Sequence, residues 1–103
     1  MHINDTPSKE IAPGIHGRYI HGDSATFGYV SIKGGSILSQ HQHEHEQITY
    51  IVDGELEMTI GGETFLLKAG MVHVIPSNTP HSAIARHDCT VIDVFAPVRE
   101  DYR

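Results

Sequence analysis

An all-β domain, a sandwich or barrel of short strands, is what this sequence predicts, and three observations predict it. Runs of β-branched and aromatic residues recur along the chain; Gly, Pro, Asn and Asp interrupt them at close intervals; and helical spacing of apolar residues is absent. At 103 residues and 11.4 kDa the chain holds one core, given the ~100–200 residues usual per domain.

Residues 1–14 are polar and end at Pro13-Gly14, an N-terminal extension expected to be partly irregular ahead of a barrel over 15–103. Strands are expected from Ile15 to His21, Thr26 to Ile32, Ser36 to His43, Gln47 to Val52 and Leu56 to Ile60. Further strands are expected from Thr64 to Leu67, Val72 to Ile75, Ser82 to Arg86 and Thr90 to Phe95. Lys33-Gly34-Gly35, Asp53-Gly54, Ala69-Gly70 and Pro76-Ser77-Asn78-Thr79-Pro80 have the chemistry of tight turns between them. Gly61-Gly62 is a hairpin turn and not a phosphate loop, because strands flank it and no helix follows.

Side-chain parity assigns faces. Glu55-Leu56-Glu57-Met58-Thr59-Ile60 alternates cleanly and is half-buried. Ile48-Thr49-Tyr50-Ile51-Val52 is apolar on both faces, so either a second subunit covers one of them, giving a homodimer, or the N-terminal strands fold over it. On the last strand Val91, Asp93 and Phe95 share one face, and Ile92, Val94 and Ala96 the other. Asp93 is expected to point inward, since Phe95 and Val91 would otherwise be exposed with it.

Composition narrows the function. Seven Lys and Arg against thirteen Asp and Glu give a formal charge of −6, with no basic run to grip phosphates, so nucleic acid is not an expected partner. No apolar run is long enough to cross a bilayer as a helix. The N-terminal Met1-His2-Ile3-Asn4-Asp5-Thr6-Pro7 lacks a signal-peptide pattern, so a cytoplasmic protein is the expectation. The single Cys89 has no partner cysteine or cationic neighbour and is expected to be an inert thiol.

Histidine is the outlying residue, with nine in the chain and three of them at His41, His43 and His45. His41 and His43 are two apart, so on a strand both imidazoles project from one face, close enough for one metal ion. Gln47 can follow as a third ligand if the chain turns at Glu44-His45-Glu46, and His81, after Pro80, is a fourth candidate. His45 is expected to be exposed at that turn, and His73 either lines the interior or packs beside Ile75.

The spacing Gly35-x5-His41-x-His43-x3-Gln47-x6-Gly54 and then Gly70-x5-Pro76-x4-His81 resembles the two-part signature of the cupin superfamily. That resemblance implies a jelly-roll (double-stranded β-helix) barrel of two antiparallel sheets, with His41, His43, Gln47 and His81 holding one divalent metal. The sequence departs from the common pattern in having Gln47 for Glu, Asn78 for Gly and Ala85 for Asn. With three imidazoles and an amide, all neutral, the ion keeps its full charge and is a stronger Lewis acid, suited to an anionic substrate. Zn, Ni, Fe and Mn ions all accept such donors.

His43-Glu44-His45-Glu46-Gln47-Ile48 and the tail Asp93-Val94-Phe95-Ala96-Pro97-Val98-Arg99-Glu100-Asp101 resemble the KdgF-type cupins of pectin degradation from about Gly35 onward. This narrower resemblance implies linearisation of 4,5-unsaturated uronates in pectin or alginate catabolism. Asp93 would be the general acid/base, Arg99 the fork for the uronate carboxylate and Phe95 the platform for the sugar. The competing expectations are an Fe-dependent dioxygenase and a non-catalytic sugar- or metal-binding module.

Overall fold

The computed structural model describes residues 1–103. Ten strands form: β1 (Lys9–Ala12), β2 (Ile15–His21), β3 (Thr26–Ile32), β4 (Ile37–His41), β5 (Glu46–Asp53), β6 (Glu55–Ile60), β7 (Glu63–Lys68), β8 (Val72–Ile75), β9 (His81–Ile84) and β10 (Cys89–Ala96). Short 3-10 turns, Ile3–Asp5 and Glu100–Tyr102, lie near the two ends. The strands make a six-stranded sheet, β1-β2-β3-β10-β5-β8, and a four-stranded sheet, β4-β9-β6-β7. All pairings are antiparallel. No helix is long and apolar enough to cross a membrane.

The inner faces of the two sheets share one core. Ile51, Ile75 and Ala85 are wholly buried, and Leu56, Met58, Leu67, Val30 and Val91 pack with them. The alternation expected of β6 is realised, with Leu56, Met58 and Ile60 buried and Glu55, Glu57 and Thr59 half-exposed. At the β6–β7 turn Gly61 and Gly62 both take positive φ, 57° and 89°, a conformation that costs a residue with a Cβ.

The structure departs from the sequence reading in three places. The N-terminal fourteen residues contain a strand, β1, which pairs with β2 and packs Ile11 and Ala12 on the core. Its polar opening, Lys9-Glu10, carries little local signal, and the neighbouring strand recruits it as an edge. β4 ends at His41 instead of His43, because there the chain leaves the small sheet and crosses to the large one. β9 likewise ends at Ile84, although Ala85 still exchanges hydrogen bonds with Gly35 and Ser36.

β5 buries Gln47, Thr49 and Ile51 and exposes Ile48, Tyr50 and Val52. The N-terminal strands extend the same sheet beyond β3 and do not fold over that outer face. Nothing within the chain covers it.

Candidate metal centre and substrate cup

His41 ends β4 and His81 opens β9, where the two are paired across the small sheet. His43 lies on the crossing segment. Its carbonyl accepts from Asn78 N at 2.8 Å, tying it to the turn before His81. Asn78 has φ 58°, a left-handed conformation that asparagine tolerates better than most residues, which explains how it stands where the family pattern has glycine. One ring nitrogen from each of His41, His43 and His81 lies within 4.8 Å of the others.

The hydrogen bonds decide which nitrogens these are. The Nδ1 atoms of His41, His43 and His81 lie 2.8, 2.9 and 2.8 Å from the carbonyls of Ser39, His45 and Thr79. A carbonyl only accepts, so each Nδ1 carries the hydrogen and each Nε2 presents a lone pair. Burial, reinforced by Arg99, lowers the His43 pKa; burial pushes that of His81 down to about 4. Both rings are therefore neutral near pH 7, and the buried His81 Nε2 has no hydrogen-bond partner.

Gln47, on the facing wall, is oriented by its amide nitrogen, which donates to Thr49 Oγ1 at 3.0 Å and Asp93 Oδ1 at 3.1 Å. Its Oε1 is left 3.2 Å from His43 Nε2. Two acceptors thus face each other beside an orphaned third, an arrangement that is repulsive alone and that a divalent cation satisfies. The donor set fits a metal held by His41, His43, His81 and Gln47.

β10 supplies the rest. Asp93 accepts from Thr49 Oγ1 at 2.7 Å as well as from Gln47. Burial in the apolar cup raises its pKa, outweighing these bonds and Arg99. Phe95 stands edge-on to His43 with ring centroids 5.8 Å apart. Arg99 follows β10, with only 6% of its surface exposed, and is fixed by its own N–H donating to the buried Thr26 Oγ1 at 2.9 Å. Its guanidinium carbon lies 4.7 Å from the Phe95 ring centroid and 3.9 Å from that of Tyr102. Asp93, Phe95 and Arg99 line one cavity with His41, Gln47 and His81.

Of the other singled-out residues, His45 departs from the sequence expectation, while His73 and Cys89 take readings the sequence allowed. His45 is half-buried, not exposed: its Nε2 lies 3.2 Å from the Val98 carbonyl and its Nδ1 is buried without a partner. The crossing segment tucks that ring beneath the C-terminal tail, a long-range contact invisible in a local turn pattern. His73 packs against Phe65 at 4.5 Å and does not line the cavity. Cys89 is a buried free thiol. Thr49 and Tyr102 also join the site; Thr49 was legible as the next inward residue after Gln47, whereas nothing local marks Tyr102.

Residues 28–95 match the model of the cupin domain family. The chain is a cupin. The match takes in all four candidate metal ligands together with Asp93 and Phe95. The cupin is 32% identical over 102 residues to the pectin degradation protein KdgF of Dickeya dadantii, covering 96% of this chain and 93% of that one. Among solved structures, KdgF from a Halomonas species superposes with a TM-score of 0.90 at 34% identity, covering 97% of this chain and 94% of that one. A shorter likeness, 47% over 45 residues, links 44% of this cupin with 13% of the quercetin 2,3-dioxygenase of Bacillus subtilis.

Proposed function

We propose that this cupin is a metal-dependent enzyme that linearises 4,5-unsaturated uronates, opening the sugar ring and completing keto–enol tautomerisation. The observation that carries the proposal is the convergence, in one cup, of three histidines able to hold a metal and the Gln47 amide with a carboxyl of raised pKa and a fixed arginine. The full-length likeness to two KdgF proteins supports it.

His41, His43, Gln47 and His81 would hold a divalent ion, which would supply Lewis-acid polarisation of a substrate oxygen. Arg99 binds the uronate carboxylate through guanidinium N–H groups. Phe95 presents an apolar surface to the sugar face. Asp93, whose pKa burial raises, takes the proton from the ring hydroxyl as the ring C–O bond breaks and gives it to the alkene carbon of the enolate so released, so the isomerisation balances without oxidant or reductant. Thr49 and Gln47 hold Oδ1 of Asp93, leaving Oδ2 for the transfer.

The test is metal-replete protein mixed with an unsaturated uronate, following ultraviolet loss of the conjugated alkene and oxygen uptake together. Alkene loss without oxygen uptake supports the proposal. Stoichiometric oxygen consumption favours the dioxygenase reading, which the segment shared with quercetin dioxygenase supports. Binding with neither signal leaves a non-catalytic sugar module.

A further inference from the structure

The fork of Arg99 is already filled. Arg99 Nε donates to Asp101 Oδ1 at 2.9 Å and Nη2 to Asp101 Oδ2 at 2.8 Å, the two-point pairing that a substrate carboxylate would make. The next residue, Tyr102, lays its ring 3.9 Å from the guanidinium carbon, and the ring also lines the cavity. A carboxylate and a six-membered ring, adjacent in sequence, thus occupy the positions the proposed uronate needs.

The inner cavity is narrow, about 50 Å³, and Tyr102 is part of its wall. A second recess of about 330 Å³, lined by Thr6, Lys9, Tyr19, His21 and Arg103, lies outside, and Tyr102 borders both. Tyr102 rests on Tyr19 at 4.6 Å between ring centroids. Tyr19 is buried and lies on Gly17 and Gly28, where added Cβ atoms would come within 2.5 and 2.6 Å of its ring. Tyr102 is the partition between the two. Apart from the Asp101 pair and the packing of the Tyr102 ring on Tyr19, Phe95 and the core, its turn is held by exposed hydrogen bonds, among them Lys9 Nζ on the Tyr102 carbonyl at 2.7 Å and Tyr102 N on the Arg99 carbonyl at 3.0 Å.

We propose that Asp101 and Tyr102 are an internal stand-in for the substrate, and that a carboxylate ligand must displace them to join the inner cavity to the outer recess. Asp101 is thereby a specificity-determining residue: only a ligand whose anion competes for Arg99 opens the cup. The inference rests on the reading of Arg99 as a carboxylate fork.

The experiment uses metal-loaded protein and D-galacturonate as a stable carboxylate probe, with calorimetry for affinity and hydrogen exchange for the amides of Tyr102 and Arg103. Asp101→Asn, a change at an exposed side chain, is expected to bind the probe about tenfold more tightly than the parent and to exchange those amides faster without ligand. In the parent, saturating probe should speed their exchange, the reverse of the usual ligand effect. A chain ending at Glu100 should bind like Asp101→Asn. Equal or weaker binding by Asp101→Asn, or slower tail exchange on binding, overturns the inference and makes Asp101 a support that positions Arg99. Loss of probe binding in every variant also overturns it. Uronate turnover with an unmoved tail defeats this inference alone, and tail displacement without turnover defeats the proposed reaction alone.

Discussion

Gln47 shows how much one residue can set. Its amide oxygen faces His43 while its nitrogen donates to Thr49 and Asp93, so it bridges the candidate metal ligands and the carboxyl proposed for proton transfer. Gln47→Glu replaces a donor toward Asp93 with a second carboxylate and neutralises part of the ion's charge. Metal affinity, measured by titration, should hold or rise, while turnover on an anionic uronate should fall about tenfold or more; an unchanged rate contradicts the Lewis-acid argument. Arg99→Ala should weaken productive binding by about 2–4 kcal/mol, with Arg99→Lys recovering only part because the fork is lost. Asp93→Asn should spare binding and slow turnover by about 10²–10⁴-fold. Metal content, measured in the same preparations, should match the parent in the two Arg99 variants and in Asp93→Asn. Cys89 makes a separate prediction: burial first, then Asp53 and Asp88, push its thiol up to about 11. The native protein should resist alkylation at pH 8 that the unfolded chain undergoes readily. Since the unfolded thiol releases its proton first, stability should fall as pH rises from about 9 to 11, and Cys89→Ala should remove that part of the slope in denaturant titrations.

Strand β5 presents two different faces. Gln47, Thr49 and Ile51 serve the cup and core, and Ile48, Tyr50 and Val52 form an outer row. In register with it are Val72 and Val74 on β8, and Ile92 and Val94 on β10, with Phe27 and Tyr29 beyond. These side chains are uncharged on a molecule of formal charge −6, with Glu46 and Arg18 at their margin, so it is here that two copies can approach with little like-charge repulsion. A dimer of twice 11.4 kDa is the expected mass in light scattering. Placing lysine at Tyr50 or Val74, both exposed, should give monomers that keep their circular dichroism. A monomeric parent at micromolar concentration counts against self-association through this face.

At the scale of the molecule, the candidate ligands join the sheets. His41 and His81 belong to the four-stranded sheet, Gln47 to the six-stranded one, and His43 to the segment crossing between them. A bound ion therefore stabilises the closed sandwich, by about 4 kcal/mol when free metal is 1,000 times its Kd. Chelation should lower the melting temperature by at least ~10 °C in a domain this size, and readdition of metal should restore it. His81→Ala should melt near the stripped parent and respond little to metal. A melting temperature indifferent to chelation, in protein shown to have bound metal, contradicts this bridging role.

Local chemistry was enough to determine the strands that alternate and the turns that need glycine or proline, because period two and φ preference are properties of a few neighbouring residues. β2, β3 and β8 stand where the sequence placed them, Ile15–His21, Thr26–Ile32 and Val72–Ile75. The spacing of His41, His43, Gln47 and His81 likewise marked a candidate metal site through its resemblance to the cupin pattern, and the structure brings the three histidines together. Tertiary structure alone decided the rest. β1 exists because β2 offers it an edge; His45 is buried because the tail crosses it; and Ile48, Tyr50 and Val52 stay uncovered because the N-terminal strands lie in the plane of the sheet. The facing acceptors of His43 and Gln47, and the seat of Asp101 and Tyr102 in the Arg99 fork, depend on where separate segments meet. Sequence encodes those meetings through the whole packed core, so no local window of residues displays them.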